Sequence, residues 1–422
     1  MIDTFADIIR HRRSNLKLTM DKLAEKASVN KSIISRIENG EVKKPEINTI
    51  KSLAEALEIS YDEYIRIYIS LERNAEVILK ILQEAISISC PASLITEIST
   101  RYLEIPHIDS YDAIENIFTT AHDINHTSTK LALFNTVVNY SREHGVMPYI
   151  AKGMYQVYMI ERNDFTNLQA SYHFGENILN YVDFLNPKEK VYIHYYLAVH
   201  AYSLMRFEES VKLSEYVIKN ATQEEHKALS IYNICISLYQ LERFIESESY
   251  LEEYKKFNFS YISDTSTMLT GILNAKIGNL ELALTQLHSC LKNTSDYNII
   301  FIISELMEVY VKLDRIEDAI SLLHYESRLI VSLNDERTTP SKRRRLAYFY
   351  RQVGTILLSR DIEQSFDYFL KSASEYMKVG MGKNALESVA LINEAILEND
   401  SCLTTELIKK INITFKQIIE IS

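Results

Sequence analysis

The sequence predicts an all-α protein: a small helical head followed by a long stack of repeated helix pairs. Three observations predict it. Gly (9 of 422 residues) and Pro (6) are scarce, so the many tight turns of an all-β chain lack the residues that make them. Apolar residues recur at three- and four-residue intervals, the period of an amphipathic helix. Beyond residue 190 a local pattern returns every 36–37 residues, which signals a repeat architecture. With 46% apolar and 24% charged residues, the chain has the balance of a soluble protein with ample core.

The charge is unevenly shared. Residues 1–60 carry 11 Lys and Arg against 9 Asp and Glu, a net of +2, while the rest carries 35 against 48, a net of −13. Such an acidic body is poorly suited to coating nucleic acid and fits a protein that meets DNA through its head alone. Cys90, Cys235, Cys290 and Cys402 are far apart and form no CxxC pair, as expected of buried thiols in a reducing cytosol. The opening MIDTFADIIRHRR lacks the order of a secretion signal. No stretch approaches ~18 uncharged apolar residues. A cytoplasmic protein with no membrane partner is expected.

The head has four short apolar blocks. Ile8, Ile9 and Leu16 suit a first helix, and Leu23, Ala24 and Ala27 a second. Val29, Ile33, Ile34 and Ile37 suit a third, and Ile50, Leu53, Ala54 and Leu57 a fourth. Thr19 and Asn30 are placed to cap the second and third helices, and Gly40 after Glu38–Asn39 supplies a stop. The run LTMDKLAEKASVNKSIISRIENGEVKKPEINTIKSLAEALEIS resembles the Cro/CI-type (XRE) helix-turn-helix across residues 4–60. The resemblance rests on LTxxxLA, on VxxxxISRIENG, on a Pro five residues further and on LAxAL. It implies a double-stranded DNA operator as partner and a third helix lying in the major groove. Carried over by position, Lys31, Ser32, Ser35 and Arg36 face the bases, with Arg36 the guanine reader. Asn39, Lys43, Lys44 and the start of the second helix meet phosphate. The family's pairing of a first-helix arginine with the glutamate of ENG maps onto Arg13 and Glu38, a structural pair. Met20 departs from the glutamine usual there and cannot donate to phosphate.

The head is assigned to residues 1–62. Residues 63–90, with Ile65, Ile69, Ile78, Leu82 and Ile86 at helical intervals, are expected to form a linker helix that ends at Cys90–Pro91. Residues 91–422 form the body. Its turns MRFEES, ERFIES, GNLELA, DRIEDA and RDIEQS place Phe207, Phe244, Leu280, Ile316 and Ile362 at spacings of 37, 36, 36 and 46. Three residues after each comes a small one: Ser210, Ser247, Ala283, Ala319 and Ser365. Nine before stand Ala198, Cys235 and Gly271, although Met307 and Val353 break that rule. Small residues on both helices let an antiparallel pair approach closely. This pattern resembles the tetratricopeptide (TPR) unit, best over 192–372, and implies a right-handed superhelix with a concave groove. Asp164–Phe165 marks a further turn, and the long last spacing places an insertion around Asn334–Lys342.

No enzyme chemistry is expected, and neither a catalytic residue, a metal nor a cofactor is assigned. His122 and His126 imitate the two histidines of HExxH on one helical face, but the acid between them is Asp and no third ligand follows. Gly380–Met381–Gly382–Lys383 has Met377 where a phosphate loop needs Gly, and reads as an inter-helix turn. Lys342–Arg345, the densest basic run, reads first as the exposed start of a helix after Pro340. Its charge opposes the helix dipole, which leaves an acidic partner as the alternative.

In TPR-like folds the first helix of each pair faces the groove. This places Tyr196, Tyr202, Asn233, Met268, Glu305, Glu308 and Arg351 there as candidate peptide contacts. The Asn amide both donates to and accepts from an extended backbone. Arg351 suits a carboxylate, and Glu305 or Glu308 a basic group. Head, linker and TPR body together resemble the RRNPP family of peptide-pheromone receptors of Gram-positive bacteria, with NprR-like members nearest in size and order. The resemblance implies a quorum-sensing transcription regulator that forms a homodimer or higher oligomer and whose DNA binding responds to a short oligopeptide. Two other roles stay open: Rap-like binding of a response regulator, and a peptide-independent repressor of a mobile element that uses its body to dimerise.

Overall fold

The computed structural model describes residues 4–106, 108–164, 167–294, 296, 298–334, 338–398 and 405–421. Cys402 and Phe165 lie outside the described residues. Every regular element among the described residues is helical. By its contacts the chain divides into two units, Met1–Glu161 with Ile178–Leu185, and Arg162–Asn177 with Asn186–Ser422.

The first unit holds α1 (Phe5–Asn15), α2 (Met20–Ala27), α3 (Lys31–Glu38), α4 (Ile47–Leu57), α5 (Tyr61–Leu71), α6 (Ala75–Ser87), α7 (Ala92–Leu103), α8 (Ser110–Asp123), α9 (Thr127–His144) and α10 (Met147–Glu161). Thr4 caps α1 in a reciprocal box with Asp7. Thr19 caps α2 and Asn30 caps α3 through their side-chain oxygens, as the sequence leads one to expect. Gly40 takes a φ of +74° just beyond α3, where a Cβ is disfavoured. Phe5, Ile9, Leu23, Ala27, Ile34, Ile37, Ile50, Leu53 and Leu57 form the head's core. Leu16, which follows the end of α1, and Ile33 of α3 are exposed.

The linker expected as one helix over 63–90 is two helices. The chain breaks at Glu72–Asn74, where Asn74 caps α6 and Glu72 accepts from the backbone N–H of Arg73 and Asn74. Arg101 of α7 clasps this elbow, donating to the carbonyls of Ile69 and Glu72 at 3.0 and 3.1 Å. The head does not hang from a tether. Phe5 of α1 meets Tyr68 of α5 with ring centroids 6.4 Å apart. Arg12–Glu63, Lys44–Glu72 and Lys51–Glu84 ion pairs at 2.8, 2.7 and 2.6 Å join head to α5 and α6.

The second unit comprises most of α11 (Leu168–Ile178), then α12 (Pro187–Ser203), α13 (Phe207–Asn220), α14 (Glu224–Gln240), α15 (Phe244–Tyr254), α16 (Ile262–Ile277), α17 (Leu280–Asn293), α18 (Ile299–Lys312), α19 (Ile316–Ser321), α20 (Glu326–Ser332), α21 (Pro340–Leu357), α22 (Ile362–Met377), α23 (Gly382–Glu398) and α24 (Thr405–Ile421). Each repeated apolar residue opens the second helix of a pair: Phe207, Phe244, Leu280, Ile316 and Ile362. The small residue three further on is fully buried in every unit. Close approach also serves hydrogen bonding. Ser210 Oγ donates to the Ala198 carbonyl at 2.9 Å, Ser247 Oγ to Cys235 at 2.8 Å and Ser365 Oγ to Gly354 at 2.7 Å.

The last of these bonds explains the exception at Val353. In that pair the close-contact position has moved one residue along, to Gly354, where a Cβ would stand 2.7 Å from the Phe369 ring. The inserted length starts earlier than Asn334, because a 3-10 turn over Leu322–Tyr325 and helix α20 follow α19.

Candidate functional site

Two sites are built on these elements, one in each unit. In the head, Ile34 and Ile37 hold α3 against the core while Lys31, Ser32 and Arg36 face outward with Ser35 half-exposed. Positions i, i+1, i+4 and i+5 share a helix face, so these four make one exposed surface. Lys31 is paired with Asp21 at 2.8 Å, both exposed, and Arg36 Nε lies 3.5 Å from the exposed Glu41. Such surface pairs are weak enough for DNA to displace. Asn39 and Lys43 are exposed beside them. Arg13 grips Glu38 with Nε and Nη2 at 2.6 and 2.8 Å and also donates to the Leu18 carbonyl. That pair ties α1 to the end of α3 and holds the reading helix in place. Lys44, expected to meet phosphate, is exposed but already has an anionic partner. Its ammonium is spent on the buried Glu72 carboxylate.

In the second unit, α12, α14, α16, α18 and α21 line a groove of about 700 Å³, within the size range of small-ligand sites. Tyr196, Tyr202, Asn233 and Met268 are brought together in it. Asn233 is buried, and its amide nitrogen donates to Ser210 and Ser214 hydroxyls at 2.7 and 2.9 Å. That leaves its carbonyl oxygen as the group able to address a ligand.

Three candidates are elsewhere. Glu305 is fully buried beneath the groove, accepting from Tyr239 Oη at 2.5 Å and paired with Arg345 at 2.8 Å. Glu308 is held by Lys276 and by Lys312. Arg351 points to α23, where it meets Glu387 at 3.1 Å and donates to the Asn384 carbonyl at 2.9 Å. The insertion precedes α21, and it is the cap Thr339 and Arg345, not the middle of the helix, that reach the groove.

The basic run Lys342–Arg345 is therefore not an exposed helix start. Lys342 is fully buried with Nζ on the Ser332 carbonyl at 2.6 Å, and Arg343 pairs with Glu375 at 3.1 Å. Arg344 donates to Gln240 Oε1, and Arg345 lines the groove. Burial disfavours the Arg345 cation, yet Tyr239 and Glu305 outweigh it and raise the group's pKa. Arg162, His200, Gln240 and Phe301 also line the groove. Arg162 lies on the Tyr196 ring, 3.7 Å from its centroid. Burial takes His200 down to about 4, so it is neutral at physiological pH. The dense basic run was a signal for Arg345; nothing in the sequence marks Arg162, His200, Gln240 or Phe301.

His122 and His126 are split between the end of α8 and the cap of α9. The first packs edge-on against Phe118 and Phe134, and no group of three metal-ligating side chains occurs among the described residues. No helix among them is long and apolar enough to cross a membrane.

Comparison with known proteins bears on the head. Residues 8–68 match the family described as helix-turn-helix domain. The HTH-type transcriptional repressor RghR of Bacillus subtilis (strain 168) is 44% identical over 61 residues, 14% of this chain and 45% of that protein. The chain thus spans less than half the length of this curated relative. The head is thus a helix-turn-helix domain.

Among solved structures, a Rap protein complexed with Competence and Sporulation Factor is 12% identical, covering 82% of this chain and 97% of that one with a TM-score of 0.46. The Rap conjugation gene regulator of plasmid pLS20 with the Phr* peptide gives 12%, 82%, 96% and 0.41. Bacillus thuringiensis PlcR in complex with the peptide PapR7 and DNA gives 17%, 64%, 98% and 0.22.

Proposed function

We propose that this protein is a cytoplasmic transcription regulator of the RRNPP type, whose head binds an operator and whose groove binds a short oligopeptide signal. The observation that carries the reading is the pairing, in one chain, of an exposed α3 reading face with an open groove of about 700 Å³. That groove is lined by aromatic rings and amides, a lining that suits an extended peptide: rings cover side chains, and amides address the backbone. The role is one of binding, without a catalytic step, and operates through a homodimer or higher oligomer whose head arrangement depends on the peptide. The peptide regulates only if it binds one arrangement more tightly than the other.

The test uses the full-length protein. DNA fragments are selected on it, and affinity for the selected operator is measured with and without heptapeptide pools. A shift of about ten-fold or more supports the reading, since it corresponds to ordinary allosteric coupling. Operator binding that no pool alters would leave a constitutive regulator.

A further inference from the structure

The groove carries an unbalanced charge. The charged side chains that line it are Arg162 and Arg345, and no carboxylate among the described residues does so. Beneath it, Arg345 pairs with Glu305 at 2.8 Å, and Lys276, 3.6 Å from that carboxylate, is held more closely by Glu308 at 2.5 Å. Arg344 is held one side chain behind the wall. It donates to Gln240, which lines the groove, and its guanidinium lies 5.8 Å from the centre of the Phe207 ring. No carboxylate among the described residues is within ion-pair distance of Arg344. The Nε atoms of Arg162, Arg344 and Arg345 are all buried without an acceptor. Burial, and then the neighbouring Arg345 charge, lower the Arg344 pKa. A buried cation without a counter-charge is strongly unfavourable, and an unmade charge-assisted hydrogen bond is available to any acceptor that arrives.

We infer that the groove selects a peptide bearing a carboxylate, an Asp or Glu side chain or a free C-terminus, which docks at the Arg344–Arg345 end and is drawn also by Arg162. The inference rests on the reading that the groove takes a peptide. It adds the sign of the ligand's charge. The carboxylate supplies an acceptor for a guanidinium at the groove wall and the negative charge that Arg344 lacks.

The probes are matched heptapeptide pools, one set carrying Asp or Glu at each position in turn and the other Asn or Gln. Each is made with a free and with an amidated C-terminus, and retention by the full-length protein is read by mass spectrometry. Carboxylate-bearing pools should be retained about ten-fold or more above their neutral matches, the gain of one charge-assisted pair. The arm that loses this preference identifies the source: amidation for the terminus, Asn or Gln for a side chain. Arg344→Gln keeps a partner for Gln240 and leaves Glu305 paired, and should flatten the preference while the melting temperature holds or rises. Arg162→Gln, at the half-buried lip, gives the same reading should the first variant fail to fold. Peptides retained without regard to carboxylate would overturn the inference and leave the peptide site standing. Retention of no pool at all would overturn both.

Discussion

Arg36 and Lys43 are both exposed cations of the head, yet their expected roles differ by geometry. Arg36 stands on the outward face of α3, and its guanidinium suits two parallel bonds to guanine. Arg36→Ala should weaken operator binding by about 1–3 kcal/mol and relax selectivity at one base pair; equal losses on operator and random duplex would remove it as a base reader. Lys43→Ala should weaken binding to every sequence and reduce the salt slope by about 1. Its neighbour should behave otherwise. Lys44→Ala should leave the salt slope unchanged and lower thermal stability by about 1 kcal/mol, because it strips a partner from buried Glu72 while water reaches the vacated side.

Glu72 also gives a pH dependence. Burial pushes its carboxyl up, but Lys44 and the backbone N–H groups of Asn74 and Arg73 prevail and hold it below the ordinary 4.5. A depressed carboxyl contributes stability above its unfolded pKa and loses it as pH falls through the folded one. Melting temperature should therefore decline below about pH 4.5, and Glu72→Gln should remove part of that decline.

At the scale of helices, the packing rule is specific enough to break on purpose. Gly354→Ala places a methyl carbon 2.7 Å from the Phe369 ring and should cost about 1–3 kcal/mol in chemical denaturation. Gly271→Ala, 3.1 Å from Leu287 Cγ, should cost less, since a leucine can move where a packed ring cannot.

The same contrast shows what the sequence reveals. Close approach demands a small residue at a fixed offset, so the helix pairs opened by Phe207, Phe244, Leu280, Ile316 and Ile362 are legible, as are the caps Thr19 and Asn30; the Arg13–Glu38 clasp follows from the resemblance to the helix-turn-helix family. The groove is legible through Met268, while the register remains unbroken. Beyond it two different causes intervene: on α18, ahead of the insertion, Glu305 and Glu308 find buried cations, and after the insertion Arg351 turns to α23. Such assignments depend on partners up to 66 residues away, and periodicity carries no information about them. Lys342–Arg345 misleads for a related reason, because clustered charge ordinarily means solvent and here it is answered by Ser332, Glu375, Gln240 and Glu305 from four other segments.

Taken whole, the chain opposes a net of +2 in the head to −13 elsewhere. Affinity for arbitrary duplex at physiological salt should consequently fall at the weak end of the usual range, a Kd of about 10⁻⁴ M; filter binding with random-sequence DNA measures it.

The three ion pairs that fasten the head to α5 and α6 sharpen this opposition. Arg12, Lys44 and Lys51 are each answered by a glutamate beyond residue 62. A fragment trimmed at that point would be a different polyelectrolyte, with three cations unmasked and a salt-hungry grip on any duplex. Glu63, Glu72 and Glu84 thus offset three of the head's eleven Lys and Arg charges while fastening it, and weaker, less salt-dependent binding to arbitrary duplex is expected of the longer chain.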